Sequence, residues 1–431
     1  MAKEKIKRPV DKSYWGIVKS QFRKNRLAVW CLRFLVVIAI IGLLANFLAN
    51  DKPLYCKLKG ETHFPVFKEM AVGLGLAKWD KQFAFADWKT FDYESVVWPL
   101  VPYSQTEMDI YNTQFVSPFA EQEVKSVQFK HWMGTDDIGR DVLAGMIHGT
   151  RIAMLVGVVS MSISSFLGIL LGSLAGYYGD ERLKASRISL FLYIPFLFIG
   201  LFYSFGVSGY TLSDALGVSI AAFLLQLLKC IFIFFLIMLV PYLLSKPLKR
   251  IPSLGRKVAI PVDILISRLI EVIISIPSLL LILSIVALAK PSIFLVMAII
   301  GATSWTGIAR FIRGELLRVR NLEYIEAAHA LGYSEARTLF KHAIPNALTP
   351  VLISIAFGIA GAILVESSLS YLGIGVPAEV ITWGKLLSLS RQAPEAWWLA
   401  VFPGFAIFLT VTIFNLIGEG LTDALDPRLK K

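Results

Sequence analysis

Charge is scarce in this sequence. Of 431 residues only 17% are Asp, Glu, Lys or Arg, against 56% hydrophobic, and the mean hydropathy of +0.64 excludes an ordinary soluble globular chain. Cysteine is also scarce. Cys31, Cys56 and Cys230 have no metal-ligand spacing and two lie in or beside apolar runs, so neither a disulfide framework nor a zinc site is indicated. The five histidines form no His-Glu-x-x-His or paired arrangement: His63, His131 and His148 fall outside the spans or at a helix entrance, and His329 and His342 share one polar loop. No Gly-x4-Gly-Lys-Ser/Thr phosphate loop occurs, which leaves no cradle of backbone N–H groups for nucleotide phosphates. No Gly-x-Ser-x-Gly elbow occurs either, so the serines are not nucleophile candidates. No inverted repeat is visible, and Glu366 is the single candidate for the mid-membrane coupling site that a secondary transporter needs.

What the chain does have is long apolar runs with cations beside them. The net charge of +12 is explained by the positive-inside rule and does not point to nucleic acid. A basic tail, residues 1–27, places the N-terminus in the cytoplasm, and Ala28 to Ala49 is a first, uncleaved span with Arg33 snorkelling at its inner end. Residues 50–150 are extracytoplasmic, with Trp79, Trp88, Trp98 and Trp132 scattered among Pro and Tyr; no fold is legible there. The second span, Ile152 to Tyr178 within residues 151–179, carries Gly168, Gly172 and Gly176 at every fourth position, a pattern for close helix packing. Ser160, Ser162, Ser164 and Ser165 of that span add packing contacts or face a path.

Residues 180–262 contain two further apolar runs, Ile188 to Phe205 and Val218 to Leu244, separated by a polar turn from Ser208 to Asp214. Lys246, Lys249, Arg250, Arg256 and Lys257 follow. Two added spans are expected; because Pro195 and Lys229 lie inside them, a helix in the interface is the alternative. Val262 to Ala289, with a kink at Pro277, leads into residues 263–431, which also hold Pro291 to Ile312 with Arg310, Arg313, Arg318 and Arg320 fixing its cytoplasmic side, Leu348 to Leu372, and a last span from Trp397-Trp398 to near Leu416. Arg268 and Glu271 share a face of the first of these. Glu366 is a carboxyl inside a span, functional by default or hydrogen-bonded within the bundle. Gly373 to Pro394 is placed outside and the C-terminal tail in the cytoplasm.

Between two of these spans lies the most informative polar stretch, Asn321 to Pro350. A helix from about Leu322 to Leu331 should stop at Gly332, a second should start after the N-cap Ser334 with Glu335 at its positive end, and Pro345 should limit it. Glu326-Ala327-Ala328, Gly332 and Ile344-Pro345 resemble the EAA loop of permease subunits in ATP-binding-cassette importers, with His342 where that pattern has an apolar residue. His131 to Gly157 resembles the signature of the peptide and nickel branch of these permeases, matched at Gly134, Thr135, Asp136, Gly139, Arg140 and Asp141. A turn of this composition can close on itself by charge-assisted hydrogen bonds; a metal site from Asp136, Asp137 and Asp141 with His131 is the alternative. Phe22 to Val29 and the core Asp423-Ala424-Leu425-Asp426-Pro427-Arg428 also resemble the family, specifically its dipeptide/oligopeptide C-subunit type.

The resemblance implies an all-α polytopic membrane protein: a six-helix ABC importer permease core with an extra two-helix hairpin, about eight spans, and an enlarged periplasmic loop. It implies a non-catalytic subunit of the bacterial inner membrane with both termini cytoplasmic, forming half of the path for di- or oligopeptides; nickel chelates or peptide antibiotics are alternatives. It implies no cofactor in this chain, with ATP and Mg on two partner ATPase subunits, and as further partners a second related permease and a periplasmic or lipid-anchored substrate-binding protein. Glu326, Ala327, Ala328, Gly332 and Pro345 would form the elbow, residues 321–346, that feels ATP binding.

Overall fold

The computed structural model describes residues 14–425 apart from Leu74, Phe85, Ser219, Leu288 and Ala289. The basic residues before Tyr14 and the tail Asp426-Pro427-Arg428, both used in the sequence reading, lie outside the described residues. Two compact units are formed, one from the stretches up to Val66, Asp87–Gly176 and from Leu269 onward, the other from Phe67–Ala86 and Tyr177–Arg268.

In the first unit, α1 (Tyr14–Phe22) leads into α2 (Arg26–Leu43) and a single turn α3 (Ala45–Leu48). The break between α1 and α2 is fixed by Asn25, whose side chain accepts the Ala28 N–H at 3.1 Å and caps α2. A three-stranded antiparallel sheet follows, in the order β2 (Glu61–His63), β1 (Tyr55–Leu58), β3 (Ser95–Val97), with Cys56 opposite both His63 and Val96. Helix α4 (Pro65–Gly73) follows β2 in the chain, and from Phe67 on it belongs to the second unit.

Helix α5 (Val142–Ser173) starts just after its N-cap Asp141, well before the expected Ile152, and closes in a π-helical turn at Leu174–Tyr178. The cap explains the difference: the polar turn before it ends at Asp141, and Val142–Thr150 can join the helix because small residues there meet neighbouring chain.

The second unit holds β4 (Lys184–Ser186), α6 (Arg187–Leu201) with a π-helical turn after it, α7 (Gly209–Val218), α8 (Ile220–Leu248), the single turn α9 (Pro252–Gly255) and β5 (Lys257–Ala259) paired to β4. Both extra runs are therefore long helices. The stretch expected as a polar turn is helical instead, because Leu212, Ala215 and Leu216 within Gly209–Val218 recur at helical spacing. Pro195 sits inside α6 without ending it.

The expected fifth span is the largest departure among the helices. Helices α10 (Val262–Ser275) and α11 (Ser278–Ala287) meet at 82°, a broken span or a re-entrant loop in place of a kink. Pro277 has no N–H to give and pushes Ile276 out of the helical region, so the ladder stops and restarts. Helix α12 (Ile293–Val319) is followed by α13 (Glu323–Ala330), α14 (Glu335–Thr338), a π-helical turn at Leu339–Ala343, α15 (Ile344–Ala347) and α16 (Thr349–Tyr371). The segment expected outside contains α17 (Trp383–Leu389), and α18 (Trp398–Leu425) continues well beyond Leu416. Its last turns are helical because Ala424 and Leu425 are buried with Val18, while Asn25 donates to Asp423 at 3.3 Å.

Among the described residues seven helices are long and apolar enough to cross a membrane, eight if α10 and α11 count as one bent span. The chain is an all-α polytopic protein.

Helices α5 and α12 pack in parallel with their backbones nearly touching. A Cβ on Gly168 would stand 2.7 Å from Ile308 Cβ, on Gly172 2.6 Å from the Ala309 carbonyl oxygen, and on Gly176 2.7 Å from that of Arg313. Ser160 donates across the same seam to the Met297 carbonyl at 2.9 Å. Since lipid is as apolar as any side chain, such close packing and interhelical hydrogen bonding hold the pair together. Gly314, also in α12, faces open space. Gly172→Ala should therefore destabilise the folded chain by about 1–3 kcal/mol in detergent unfolding, whereas Gly314→Ala should be neutral or slightly stabilising.

Candidate functional site

The signature turn closes on itself and on three other parts of the first unit. Gly134 and Gly139 take φ of +76° and +83°, conformations a side chain disfavours. At Gly139 a Cβ would lie 2.1 Å from the Asp109 carbonyl oxygen, so the approach of residue 109 also requires glycine. The Asp136 carboxylate accepts from the Arg140 N–H at 2.8 Å, the Ile138 N–H at 3.1 Å and Arg140 Nε at 2.6 Å. Thr135 donates its hydroxyl to the Asn112 carbonyl at 2.8 Å and accepts the Val116 N–H at 3.0 Å. Its own carbonyl accepts Nε1 of Trp398 at 3.1 Å, tying the turn to the start of α18.

Asp141 has two tasks. One oxygen caps α5 through the Ala144 N–H at 2.6 Å, and the other meets His131 Nδ1 at 2.8 Å. His131 Nε2 meets Asp109 at 3.1 Å, and Tyr103 stacks on the ring at 4.2 Å. A neutral imidazole has one N–H, so only the imidazolium donates to both carboxylates. Burial pulls the His131 pKa down, but the hydrogen bonds it donates to Asp109 and Asp141 outweigh it and the net shift is upward. For Asp109, burial pushes upward and the bonds from His131, Asn112 and the Tyr111 N–H win, holding it at about 2. These carboxylates are engaged in different directions, and Asp137 offers its backbone carbonyl to the Gln114 N–H at 3.0 Å. Among the described residues no three His, Cys, Asp or Glu side chains converge as metal ligands. Asp109, Asn112 and Tyr103 were missed by sequence reasoning, and nothing in their spacing from His131 marks them.

At the other end of α12 the elbow is built largely as its residues suggest. Helix α13 ends at Ala330 with Leu331 as its C-cap, Gly332 takes φ +79°, and the Ser334 hydroxyl oxygen caps α14 by accepting the Arg337 N–H at 3.3 Å. Glu326, Ala327, Gly332 and Pro345 are exposed. Ala328 is not; it is buried beside Ile325 on the inner side of α13, so only one of the two alanines is open to a partner. Pro345 does not stop the helix. The π-helical turn before it absorbs the missing donor and α15 carries on toward α16. His342 stacks on Tyr333 at 5.8 Å, and the Arg337 guanidinium lies 4.4 Å from the same ring.

Glu366 is 1% exposed. Ser370 donates to it at 2.5 Å, Ser367 stands 3.5 Å away and Thr382 adds a third hydroxyl. Helix α17 folds back against this carboxyl so closely that a Cβ on Gly384 would be 2.3 Å from the Ser367 carbonyl oxygen. Trp383 donates to the Met146 carbonyl at 3.0 Å. Of the two intramembrane acids, then, Glu366 is a bonded part of the bundle, and Glu271 is exposed on α10. A groove of about 250 Å³ runs between α11, α12 and α16, lined by Ser278, Thr303, Ser304, Gly307, Ser354 and Gly361.

Two comparisons relate the sequence to known proteins. A family model described as binding-protein-dependent transport system inner membrane component matches residues 253–431, and one described as N-terminal TM domain of oligopeptide transport permease C matches residues 13–61. A dipeptide transport system permease protein of Alkalihalophilus pseudofirmus is 30% identical over 302 residues, 70% of this chain and 73% of the relative. The chain belongs to the peptide-type ABC permeases. Other permeases of the family are similar over different extents. An oligopeptide transport system permease protein of Bacillus subtilis is 28% identical over 302 residues, 70% of this chain and 73% of its own. A peptidoglycan transport system permease protein of Agrobacterium fabrum is 26% identical over 440 residues, 97% of this chain and 93% of its own. As a peptide-type ABC permease the chain is a multi-pass inner-membrane protein.

The sign of the His131 linkage is set by the two shifts. The stabilisation from a histidine whose pKa is raised is complete below its ordinary value near 6.5 and fades as pH rises through the elevated value. The part owed to Asp109 is present above the ordinary carboxylate value and fades as pH falls toward about 2. Resistance of the 87–141 segment to proteolysis in the purified protein should therefore hold up to about pH 6.5 and decline as the pH rises further, through the elevated His131 value. His131→Gln should lose about 3 kcal/mol and show no such decline.

Proposed function

We propose that this permease forms half of the translocation path of an ATP-driven peptide importer, with a second related permease, two ATPase subunits and a substrate-binding protein. ATP and Mg would act on the ATPase subunits. The observation that carries this is the elbow: an exposed pair of short helices with Tyr324, Leu331 and Phe340 open to a partner, at the end of α12 remote from the signature turn. A helix the length of α5 separates the two ends by roughly 48 Å. The elbow would face the cytoplasm, the signature turn and residues 50–141 the periplasm. Closing of the ATPase pair on ATP would draw the elbows together and tilt α12 with α5, opening the groove outward. Binding in the groove can be weak because the capture protein supplies affinity.

The substrate class is di- or oligopeptides. A second reading within it is favoured by coverage: the dipeptide permease matches 70% of this chain, whereas the peptidoglycan permease matches 97% and so includes the extra stretches. Fragments of peptidoglycan thus join the substrates to be tried, and uptake competition among dipeptides, longer peptides and such fragments decides between them.

Two outcomes test the importer. Glu326→Ala and Gly332→Pro should each cut ATPase co-purification at least tenfold and abolish uptake, while Glu379→Ala, at the other end, changes neither. Gly307 has open space around it, so Gly307→Trp should leave assembly intact and reduce uptake about tenfold by filling the groove. Retention of ATPase and uptake in the elbow variants would contradict the reading.

A further inference from the structure

The second unit carries a concentration of positive charge for which the importer gives no use. Helices α6 and α8 lie antiparallel, with Gly200 facing Phe234 and Met238, so the start of α6 and the end of α8 share one end of the hairpin. There β4 pairs with β5, setting Ser186 opposite Lys257 and Lys184 opposite Ala259. The Arg187 N–H donates to the Arg256 carbonyl at 3.2 Å. The chain turns back so tightly through α9 that a Cβ on Gly255 would stand 2.2 Å from the Lys249 carbonyl oxygen. Lys184, Arg187, Lys249, Arg250, Arg256 and Lys257 are thereby gathered on one surface, and all are exposed.

Their charges are not cancelled by the protein. Among the described residues none of the six is ion-paired, and the acids of the same stretches are Asp180, Glu181 and Asp263. Of these, Asp180 accepts the Ile264 N–H at 3.1 Å. Like charges held this close repel unless an anion lies between them. The neighbouring surface says which anion. Phe191, Ile194, Leu243 and Leu244 are exposed on the flanking helices, with Tyr242 at the edge and Lys246 Nζ 4.4 Å from its ring. This is an apolar face for acyl chains ending in an aromatic and then in cations, the order in which a bilayer passes from hydrocarbon to headgroups.

We infer that this end of the hairpin is a binding surface for the phosphate headgroups of anionic phospholipids, whose acyl chains cover the adjoining faces of α6 and α8. The lipid phosphates supply the charge that the chain omits and set the depth of the inserted hairpin. A soluble acidic partner would match the cations but not the contiguous apolar belt.

The test is native mass spectrometry of the purified complex titrated with phosphatidylglycerol or phosphatidylcholine. The unmodified chain should retain phosphatidylglycerol about tenfold more than phosphatidylcholine, with the preference weakening in high salt. Substituting Lys249, Arg250, Arg256 and Lys257 together by Gln should bring the ratio close to one, while Lys341→Gln in the elbow leaves it unchanged. Equal retention of both lipids by the unmodified chain would overturn the inference, as would an unaltered ratio in the fourfold variant. Loss of ATPase co-purification in that variant with the lipid ratio intact would do so as well, by assigning the surface to the ATPase.

Discussion

The contact between α5 and α12 governs the rest of the first unit. Two glycines of α5 and Gly176 of the π-helical turn after it let the backbones come so near that a single methyl would collide with the carbonyls of Ala309 and Arg313. Gly301 returns the favour from α12, where a Cβ would lie 2.7 Å from the Ser160 carbonyl oxygen. At the far end Arg320 donates to the Gly176 carbonyl at 3.2 Å. In a medium where burying apolar groups gains little, such a seam is hard to slide, because each small shift trades a hydrogen bond or a van der Waals contact for a clash. The two helices are therefore packed as one rod. Its first end is capped by Asp141 and its second leads into the elbow.

Each end of the rod handles polar groups differently. At the signature turn the chain brings several charges out of water and satisfies them among themselves: Asp136 with Arg140, His131 with Asp109 and Asp141. Removing one member leaves another buried and unpaired, so the turn is stable as a set. At the elbow the charges and large apolar residues remain exposed, which is costly for an isolated chain and useful to one that meets a partner. In the middle, Glu366 is surrounded by hydroxyls and covered by α17. It steadies the return of the chain between α16 and α18, whereas the groove, where hydroxyls of Ser278, Thr303, Ser304 and Ser354 alternate with apolar residues such as Met161, Ile282 and Phe311, lies along the open side of α12.

How much of this was legible follows from what each residue's signal depends on. Spans were readable because length and hydropathy are local; the glycines at every fourth position announced close packing, and Ser334 and Gly332 announced a cap and a stop. Boundaries set by long-range contact were not. The start of α5 depends on Asp141, whose other oxygen needs His131; α18 runs to Leu425 because Val18 lies beside it; Ala328 turns inward because Ile325 does. Proline was misread twice, in opposite senses: Pro277 breaks its helix by 82° where a kink was expected, and Pro345 is absorbed by a π-helical turn where a stop was expected. The difference lies in the turn before each proline, which sequence spacing does not encode.

In the proposed mechanism one rod carries motion from the elbow to the groove. Pulsed electron paramagnetic resonance between labels at Ser162→Cys in α5 and Ala302→Cys in α12, both exposed positions, tests it most directly. It would be made in the assembled transporter with Cys31, Cys56 and Cys230 replaced by alanine, with and without trapped ATP. The rod predicts one unchanged distance in both states. A shift of about 5 Å, one helical turn, would show the two helices sliding past each other and contradict it.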